Sequence, residues 1–197
     1  MKKNIPLQKE GGATDAVSEK TFATEKQAKS HFQVVKQRLL AINHWHKLGG
    51  EEKAKFTLFD AKGDAIERPP MIGDYIRIDI PGPLNKSGDG FDWVRIEAFE
   101  EDEEMHEEFV NIRVRPANNP QSKEPVTAHF FDDVATSSFL IRRAHTKIST
   151  EVHGRNEKPN IEDVNFVEKV RNTFVALGGI FGASKIQWKS FTEGLLT

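Results

Sequence analysis

The chain has 197 residues, a formal net charge of −2 at pH 7 and no cysteine. The missing cysteines exclude disulfides, thiolate nucleophiles and zinc–thiolate sites. The balanced charge lacks the basic excess that neutralises phosphates, so binding to nucleic acid is not expected. No stretch has the ~20 consecutive apolar residues of a membrane-spanning helix, and the N-terminus has no apolar signal-peptide core. The sequence therefore predicts a cytoplasmic protein that does not contact a membrane.

The first segment, residues 1–22, is rich in charged and small residues and has little to bury. This composition predicts a flexible N-terminal arm, and residues 23–197 are predicted to form a single α+β domain. Residues 24–47 predict a helix, because Thr24 can accept a hydrogen bond from a free backbone N–H of the first turn and apolar residues recur at helical spacing. The apolar stripe consists of Phe32, Val35, Leu39, Ile42 and Trp45.

Six segments have the alternating or β-prone composition of strands. They are residues 55–59, 75–80, 93–98, 109–115, 126–131 and 139–152. The last segment is long for one strand, so we expect a bend or bulge within it. The acidic run at 97–108 is predicted to be a solvated hairpin loop, and a surface for a basic partner is the second interpretation.

Two helices are predicted to close the chain. The first begins after Asn160 and carries an apolar stripe as far as Leu177. The second begins at Ser184, which has the capping-box spacing to Gln187. A run of strands flanked by helices predicts an α+β fold. We expect about six strands in a mostly antiparallel, curved sheet or partly open barrel, with one N-terminal helix and two C-terminal helices.

Four common short motifs of catalysis and metal binding do not occur in the sequence. The sequence has no phosphate-binding loop, no Gly-x-Ser-x-Gly elbow, no His-Glu-x-x-His helix and no EF-hand loop. His44 and His46 are two residues apart on the predicted helix and point away from each other, so they are poorly placed to share an ion. The sequence therefore predicts no cofactor and no metal.

The densest polar cluster is residues 152–160, between the last predicted strand and the next helix. Its arginine and the free N–H groups that open a helix can bind a ligand carboxylate or phosphate. Alternatively, these residues satisfy one another. His129 and Asp132 form a second group, either a general base with its orienting carboxylate or a capped strand end. The candidate ligand-binding residues are His129, Asp132, His145, His153, Arg155, Asn156 and Glu157.

The polar positions of the alternating strands define a face that we call the wet face. It includes Tyr75, Arg77, Asp79, Trp93, Arg95, Glu97, Arg113 and Arg115. Cross-strand ion pairs account for this composition. A platform for single-stranded nucleic acid is the alternative, but Asp79 and Glu97 interrupt its positive charge.

These observations favour a non-catalytic binding or assembly protein that acts through its surface loops and its wet face, with another protein as partner. The alternative is a small-ligand-binding protein or an enzyme with a cavity between the curved sheet and the C-terminal helix. Convergence of several candidate residues on an apolar cavity would favour that alternative.

Overall fold

The computed structural model of the chain describes residues 5–48, 54–79, 91–122, 133–158 and 180–197, without the side chains of residues 180–187. The strands are β1 (Gly12–Thr21), β2 (Lys55–Phe59), β3 (Tyr75–Asp79), β4 (Asp92–Glu103), β5 (Glu107–Pro116), β6 (Thr136–Ala144) and β7 (Lys147–Glu157). The helices are α1 (Glu25–Leu40), a 3-10 helix (Ile42–Lys47) and α2 (Ile180–Leu196).

The seven described strands form a sheet in the order β1-β7-β6-β5-β4-β3-β2. Every neighbouring pair is antiparallel. Strands β1 and β2 are consecutive along the chain but lie at opposite edges, because α1 and the 3-10 helix carry the chain across one face. The prediction of an α+β fold with a curved antiparallel sheet is confirmed.

The helices and one face of the sheet, the inner face, enclose the core. Trp45 lies at its centre, with its ring centroid 4.7 Å from Phe139, 5.0 Å from Phe191 and 5.4 Å from Phe56. Its indole N–H donates to the carbonyl of Leu39 at 2.9 Å, which satisfies its one polar group. The predicted apolar stripe of the first helix is therefore buried, and it continues through the 3-10 helix.

The N-terminal cap of α1 also follows the sequence prediction. The Thr24 hydroxyl accepts a hydrogen bond from the backbone N–H of Gln27 at 3.2 Å. Helix α1 ends at Leu40, earlier than predicted, and the tighter 3-10 helix takes over to Lys47.

The prediction of a flexible arm is wrong for residues 12–21, which form β1 and pair with β7. Thr14, Ala16 and Ser18 point inward and are buried. Because these inward residues are small or polar, the strand lacks the hydrophobic alternation that sequence analysis detects. Helix α2 packs over this strand, and the Ser18 and Thr192 hydroxyls hydrogen-bond at 2.8 Å.

The segment 139–152 is not one long strand but belongs to two strands of a hairpin. Strands β6 and β7 pair from Ala144 and Lys147 outward, so the turn consists of His145 and Thr146. Residues paired across this two-residue turn have one odd and one even number. Inward-facing side chains therefore have odd numbers in β6, such as Phe139, and even numbers in β7, such as Ile148. The predicted bend is thus a complete chain reversal.

The acidic run is not a solvated loop. Strand β4 extends to Glu103 and β5 begins at Glu107, which leaves a short turn. Lys29 of α1 pairs with Glu103 at 2.8 Å, and Glu108 is buried. Lysines from the helix above neutralise part of the run, and this allows the carboxylates to lie within paired strands.

Helix α2 starts at Ile180, four residues before the predicted Ser184. The predicted strand at 126–131 and the helix after Asn160 lie outside the described residues. Within the described part of the chain, no helix is both long and apolar enough to cross a membrane.

Candidate functional site

The predicted ligand-binding residues do not converge on one site. His153, Arg155, Asn156 and Glu157 lie in the second half of β7, and His145 lies in the turn before it. At about 3.3 Å per residue, Arg155 is roughly 30 Å from His145 along the strand. His129 and Asp132 lie outside the described residues.

His153 lies on the wet face between two carboxylates. Its Nδ1 is 2.5 Å from an Asp15 oxygen and its Nε2 is 2.8 Å from a Glu151 oxygen. Burial alone would lower the pKa of the imidazole, but the hydrogen bonds to Glu151 and Asp15 outweigh burial and raise it. Burial opposes the shift in the two carboxyls as well, and their bonds to His153 lower their pKa values. Arg155 adds a second cation 2.8 Å from Asp15.

Ser138 lies in register with His153 and Asp15 across three neighbouring strands. Serine, histidine and aspartate are the residue types of a nucleophilic catalytic triad. However, the Nε2 of His153 is hydrogen-bonded to Glu151. Within the described residues, the buried Ser138 hydroxyl makes no hydrogen bond. The imidazole therefore does not activate the hydroxyl, because a triad requires contact between base and nucleophile.

The remaining polar residues of β7 hold the N-terminal segment in place. The buried Glu157 carboxylate accepts a hydrogen bond from the Thr14 hydroxyl at 2.7 Å, and burial raises its pKa. Asn156 has φ 56, and its side-chain oxygen accepts from the backbone N–H groups of Lys9 and Glu10 at 2.8 and 3.2 Å. These contacts match the alternative in which the cluster satisfies itself, and a ligand-binding role for it stays a prediction.

Two of the wet-face arginines are neutralised. The Glu97 carboxylate accepts from Arg113 at 2.5 Å and from Arg115 at 2.7 Å. Burial opposes ionisation of Glu97, but the two guanidinium groups lower its pKa. The expected cross-strand ion pairs are therefore present on β4 and β5.

Arg77 and Arg95 differ from that pair, and we call them the arginine patch. The Arg77 guanidinium lies 4.3 Å from the ring centroid of Phe91 and 5.2 Å from that of Phe59. Among the described residues, neither Arg77 nor Arg95 has a carboxylate within salt-bridge distance. The two arginines are diagonal neighbours across β3 and β4, about 7–8 Å apart for such positions.

An ordered loop presents two apolar side chains beside this patch. Arg68 binds both carboxylate oxygens of Asp74 at 2.7 and 2.9 Å, and Asp74 also accepts from the backbone N–H of Met71 at 2.8 Å. The loop leaves Met71 59% and Ile72 63% exposed. The following Gly73 lies close to the Arg95 guanidinium, since a Cβ at Gly73 would be 3.8 Å from it.

A third polar group, the turn cluster, consists of Glu25, His106 and His145. The two Glu25 carboxylate oxygens lie 2.9 Å from His106 Nδ1 and 3.0 Å from His145 Nδ1. The imidazole rings stack with centroids 5.1 Å apart. Hydrogen bonds to His106 and His145 lower the pKa of Glu25. The three ligand-type atoms all lie within 4.8 Å of one another.

His145 is a candidate from the sequence alone, but the residues that it contacts were not predicted. Glu25 follows the predicted helix cap, and His106 stands in the acidic run that was expected to be a loop. Phe59 is the last residue of β2 and Phe91 immediately precedes β4, so the two rings that contact Arg77 come from separate parts of the chain. A correct assignment of the two hairpin turns would have brought the histidines together, because β5 and β6 are neighbours.

The described part of the inner face contains interlocked aromatic rings and no converging candidate residues. Trp188 contacts Phe139 at 5.4 Å and Phe56 at 6.4 Å between ring centroids. Asp92 lies at the edge of this face opposite Ile78, and burial raises the pKa of its carboxyl to about 7. A ligand cavity here stays a prediction.

No family model matches the chain, and no curated protein matches it. A crystal structure of a hypothetical protein from Helicobacter pylori superposes with a TM-score of 0.54 at 9% identity, covering 95% of this chain and 87% of that one. This likeness shows the fold alone, a helix-grip arrangement in which a curved antiparallel sheet holds a C-terminal helix.

Two plant proteins are more distant in structure. The major latex-like protein 151 of Panax ginseng has a TM-score of 0.37 at 11% identity, covering 84% of this chain and 97% of that one. Truncated norcoclaurine synthase of Thalictrum flavum has a TM-score of 0.35 at 14% identity, covering 97% and 98%. Likenesses at this distance do not bear on the function of this chain.

Proposed function

We propose that this chain is a non-catalytic binding protein that acts through its wet face and the adjoining surface loop, and that the arginine patch binds an acidic segment of a partner protein. The observation that carries the proposal is the state of Arg77, which is held between Phe59 and Phe91 without a carboxylate partner among the described residues. By contrast, Arg113 and Arg115 on the same face are both neutralised by Glu97.

A stacked arginine is well prepared to bind an anion. The guanidinium keeps its charge at all ordinary pH values, and its planar N–H groups match a carboxylate. Stacking on two aromatic rings restricts the side chain, so less conformational entropy is lost on binding. Arg95 supplies a second cation across the neighbouring strand, which suits two carboxylates of one extended segment. Asp79 lies two positions from Arg77 on the same strand. It is paired across the sheet with Lys55, a residue of opposite charge.

The neighbouring loop supplies apolar contact. Exposed apolar side chains beside arginine and aromatic residues are typical of the energetically important part of protein interfaces. Met71 and Ile72 are presented by a loop that the Arg68–Asp74 pair fixes. The patch therefore favours a segment that carries both acidic and apolar side chains.

The test is fluorescence anisotropy with a short labelled peptide in which glutamate and leucine alternate. We expect the full chain to bind this peptide more tightly than its lysine–leucine counterpart, with an affinity that falls as salt rises. The double variant Arg77→Gln, Arg95→Gln should weaken binding by about tenfold or more, because each charge-assisted hydrogen bond is worth about 1.5–3 kcal/mol.

The matched control is Lys47→Gln, which removes an exposed cation from the 3-10 helix on the other side of the sheet. It should leave peptide affinity unchanged. Equal affinity for the acidic and basic peptides, or an effect of Lys47→Gln equal to that of the double variant, would show that the arginine patch is not the binding site.

A further inference from the structure

We infer that the turn cluster of Glu25, His106 and His145 is a binding site for one divalent transition-metal ion, with Zn²⁺ as the best match. This site is independent of the arginine patch. Its ligands come from the first residue of α1, the turn between β4 and β5, and the turn between β6 and β7. No sequence motif indicates this site, because its three residues are far apart in the chain.

The ligand atoms already lie near the spacing that a metal site requires. A zinc ion with bonds of about 2.0–2.2 Å to nitrogen and oxygen places its tetrahedral ligands about 3.3 Å apart. The carboxylate oxygens of Glu25 are already 2.9 and 3.0 Å from the two Nδ1 atoms, and the widest ligand separation is at most 4.8 Å. We expect small rotations of the two exposed imidazoles to bring the three ligand atoms to the zinc spacing.

A buried frame fixes the two turns relative to each other. The His145 backbone N–H donates to the His106 carbonyl at 2.8 Å. Behind them, Arg143 donates to the His106 carbonyl at 3.1 Å and to the His145 carbonyl at 3.3 Å. The Arg143 side chain is 1% exposed and forms an ion pair with Glu108, which is 2% exposed. This frame sets the spacing of the two histidines, as supporting residues around metal sites do.

The backbone of His145 is a second sign of a functional role. Its φ is 54, a left-handed conformation that glycine and asparagine adopt more readily than histidine. Strained residues of this kind are concentrated at ligand-binding positions. A histidine here presents its ring beside that of His106, where a turn chosen for stability would contain glycine or asparagine.

The ligand types indicate the class of metal. Two imidazoles and one carboxylate, without a thiolate, suit zinc and other borderline divalent ions rather than calcium or magnesium, which prefer all-oxygen sites. Three protein ligands leave one coordination position open to solvent or to a further ligand. His106 and His145 are half exposed or more, so an ion can reach the cluster from bulk water.

The test is isothermal titration of the full, chelator-treated chain with ZnCl2, with Co²⁺ absorption spectra as a report on nitrogen coordination. We expect one Zn²⁺ per chain and an increase in Tm on saturation. The variant His145→Asn should lower zinc affinity by more than the ~10–100-fold typical of supporting residues, because it removes a ligand. Its Tm without metal should not fall, because asparagine tolerates the left-handed turn.

The matched control is His44→Asn, which removes an exposed histidine from the 3-10 helix. It should keep wild-type affinity and the wild-type Co²⁺ spectrum. The inference is overturned if the wild type binds no zinc, if His145→Asn binds zinc as tightly as the wild type, or if His44→Asn loses as much affinity.

Discussion

The buried ion pair between Arg143 and Glu108 allows a quantitative test of how the sheet is stabilised. The two side chains face each other directly across β5 and β6 and are 1% and 2% exposed. Replacing Arg143 with methionine leaves the Glu108 carboxylate buried without its counter-charge. Breaking a buried pair from one side costs about 3–5 kcal/mol.

The double variant Glu108→Leu, Arg143→Met should behave differently. Both charges are replaced by apolar groups of similar size, so no charge remains to be desolvated. Replacing a whole buried pair in this way is often neutral or stabilising by about 1–4 kcal/mol. For a chain of this size, each kcal/mol shifts Tm by about 2–4 °C, so Arg143→Met should lower Tm by roughly 6–20 °C and the double variant should recover most of it.

Urea unfolding and calorimetry of the wild type, both single variants and the double variant complete the cycle. The exposed pair Lys29–Glu103, with side chains 51% and 59% exposed, is the matched control. Its coupling energy should be far smaller than that of the buried pair, because solvent screens exposed charges. A double variant as unstable as the two single variants added together would contradict this account of the buried pair. An Arg143→Met variant that costs no more than Lys29→Met would contradict it as well.

Two further predictions concern β7. An alanine Cβ at Gly154 would lie 2.1 Å from a Glu157 oxygen, so the carboxylate must move away and its buried hydrogen bond with Thr14 is disturbed. Gly154→Ala should therefore cost about 1–3 kcal/mol of unfolding free energy, and urea titration should show a smaller cost of Gly154→Ala in a Glu157→Ala background. The pKa of His153 is raised and the pKa values of Asp15 and Glu151 are lowered by their mutual contacts. The cluster therefore stabilises the fold at pH values above the ordinary carboxyl pKa values of 3.8 and 4.5 and below the ordinary imidazole pKa of 6.5. His153→Gln should therefore be less stable than wild type by on the order of 1–3 kcal/mol in that window. The difference should shrink as the pH rises through the raised imidazole pKa, and a pH-independent difference would contradict the assignment.

The first helix was the most predictable part of the chain. The stripe from Phe32 to Trp45 has an unambiguous period, and Thr24 has the local chemistry of a cap. Period and capping depend on residues within a few positions of one another, so the sequence alone contains them. The strands at 55–59 and 75–80 were also found from local signals, the first from its β-prone composition and the second from the alternation that marks one buried face.

The elements that sequence analysis misjudged depend on partners distant in the chain. Strand β1 has small inward residues because α2 packs closely over it, as the Ser18–Thr192 contact shows. The turn at His145 contains no glycine, so nothing local distinguished a chain reversal from a bend. Glu108 is in an acidic run, and its burial depends on Arg143 of the neighbouring strand.

By itself, the sequence determined the fold class, the first helix, several strands and the absence of thiolate chemistry. Those properties follow from local periodicity and composition. Only the tertiary structure decided which polar residues meet. It placed His153 between carboxylates of two strands, left Arg77 stacked and unpaired among the described residues, and brought His145 to His106 and Glu25. Strand register and helix packing set these contacts, and both are properties of the whole folded chain.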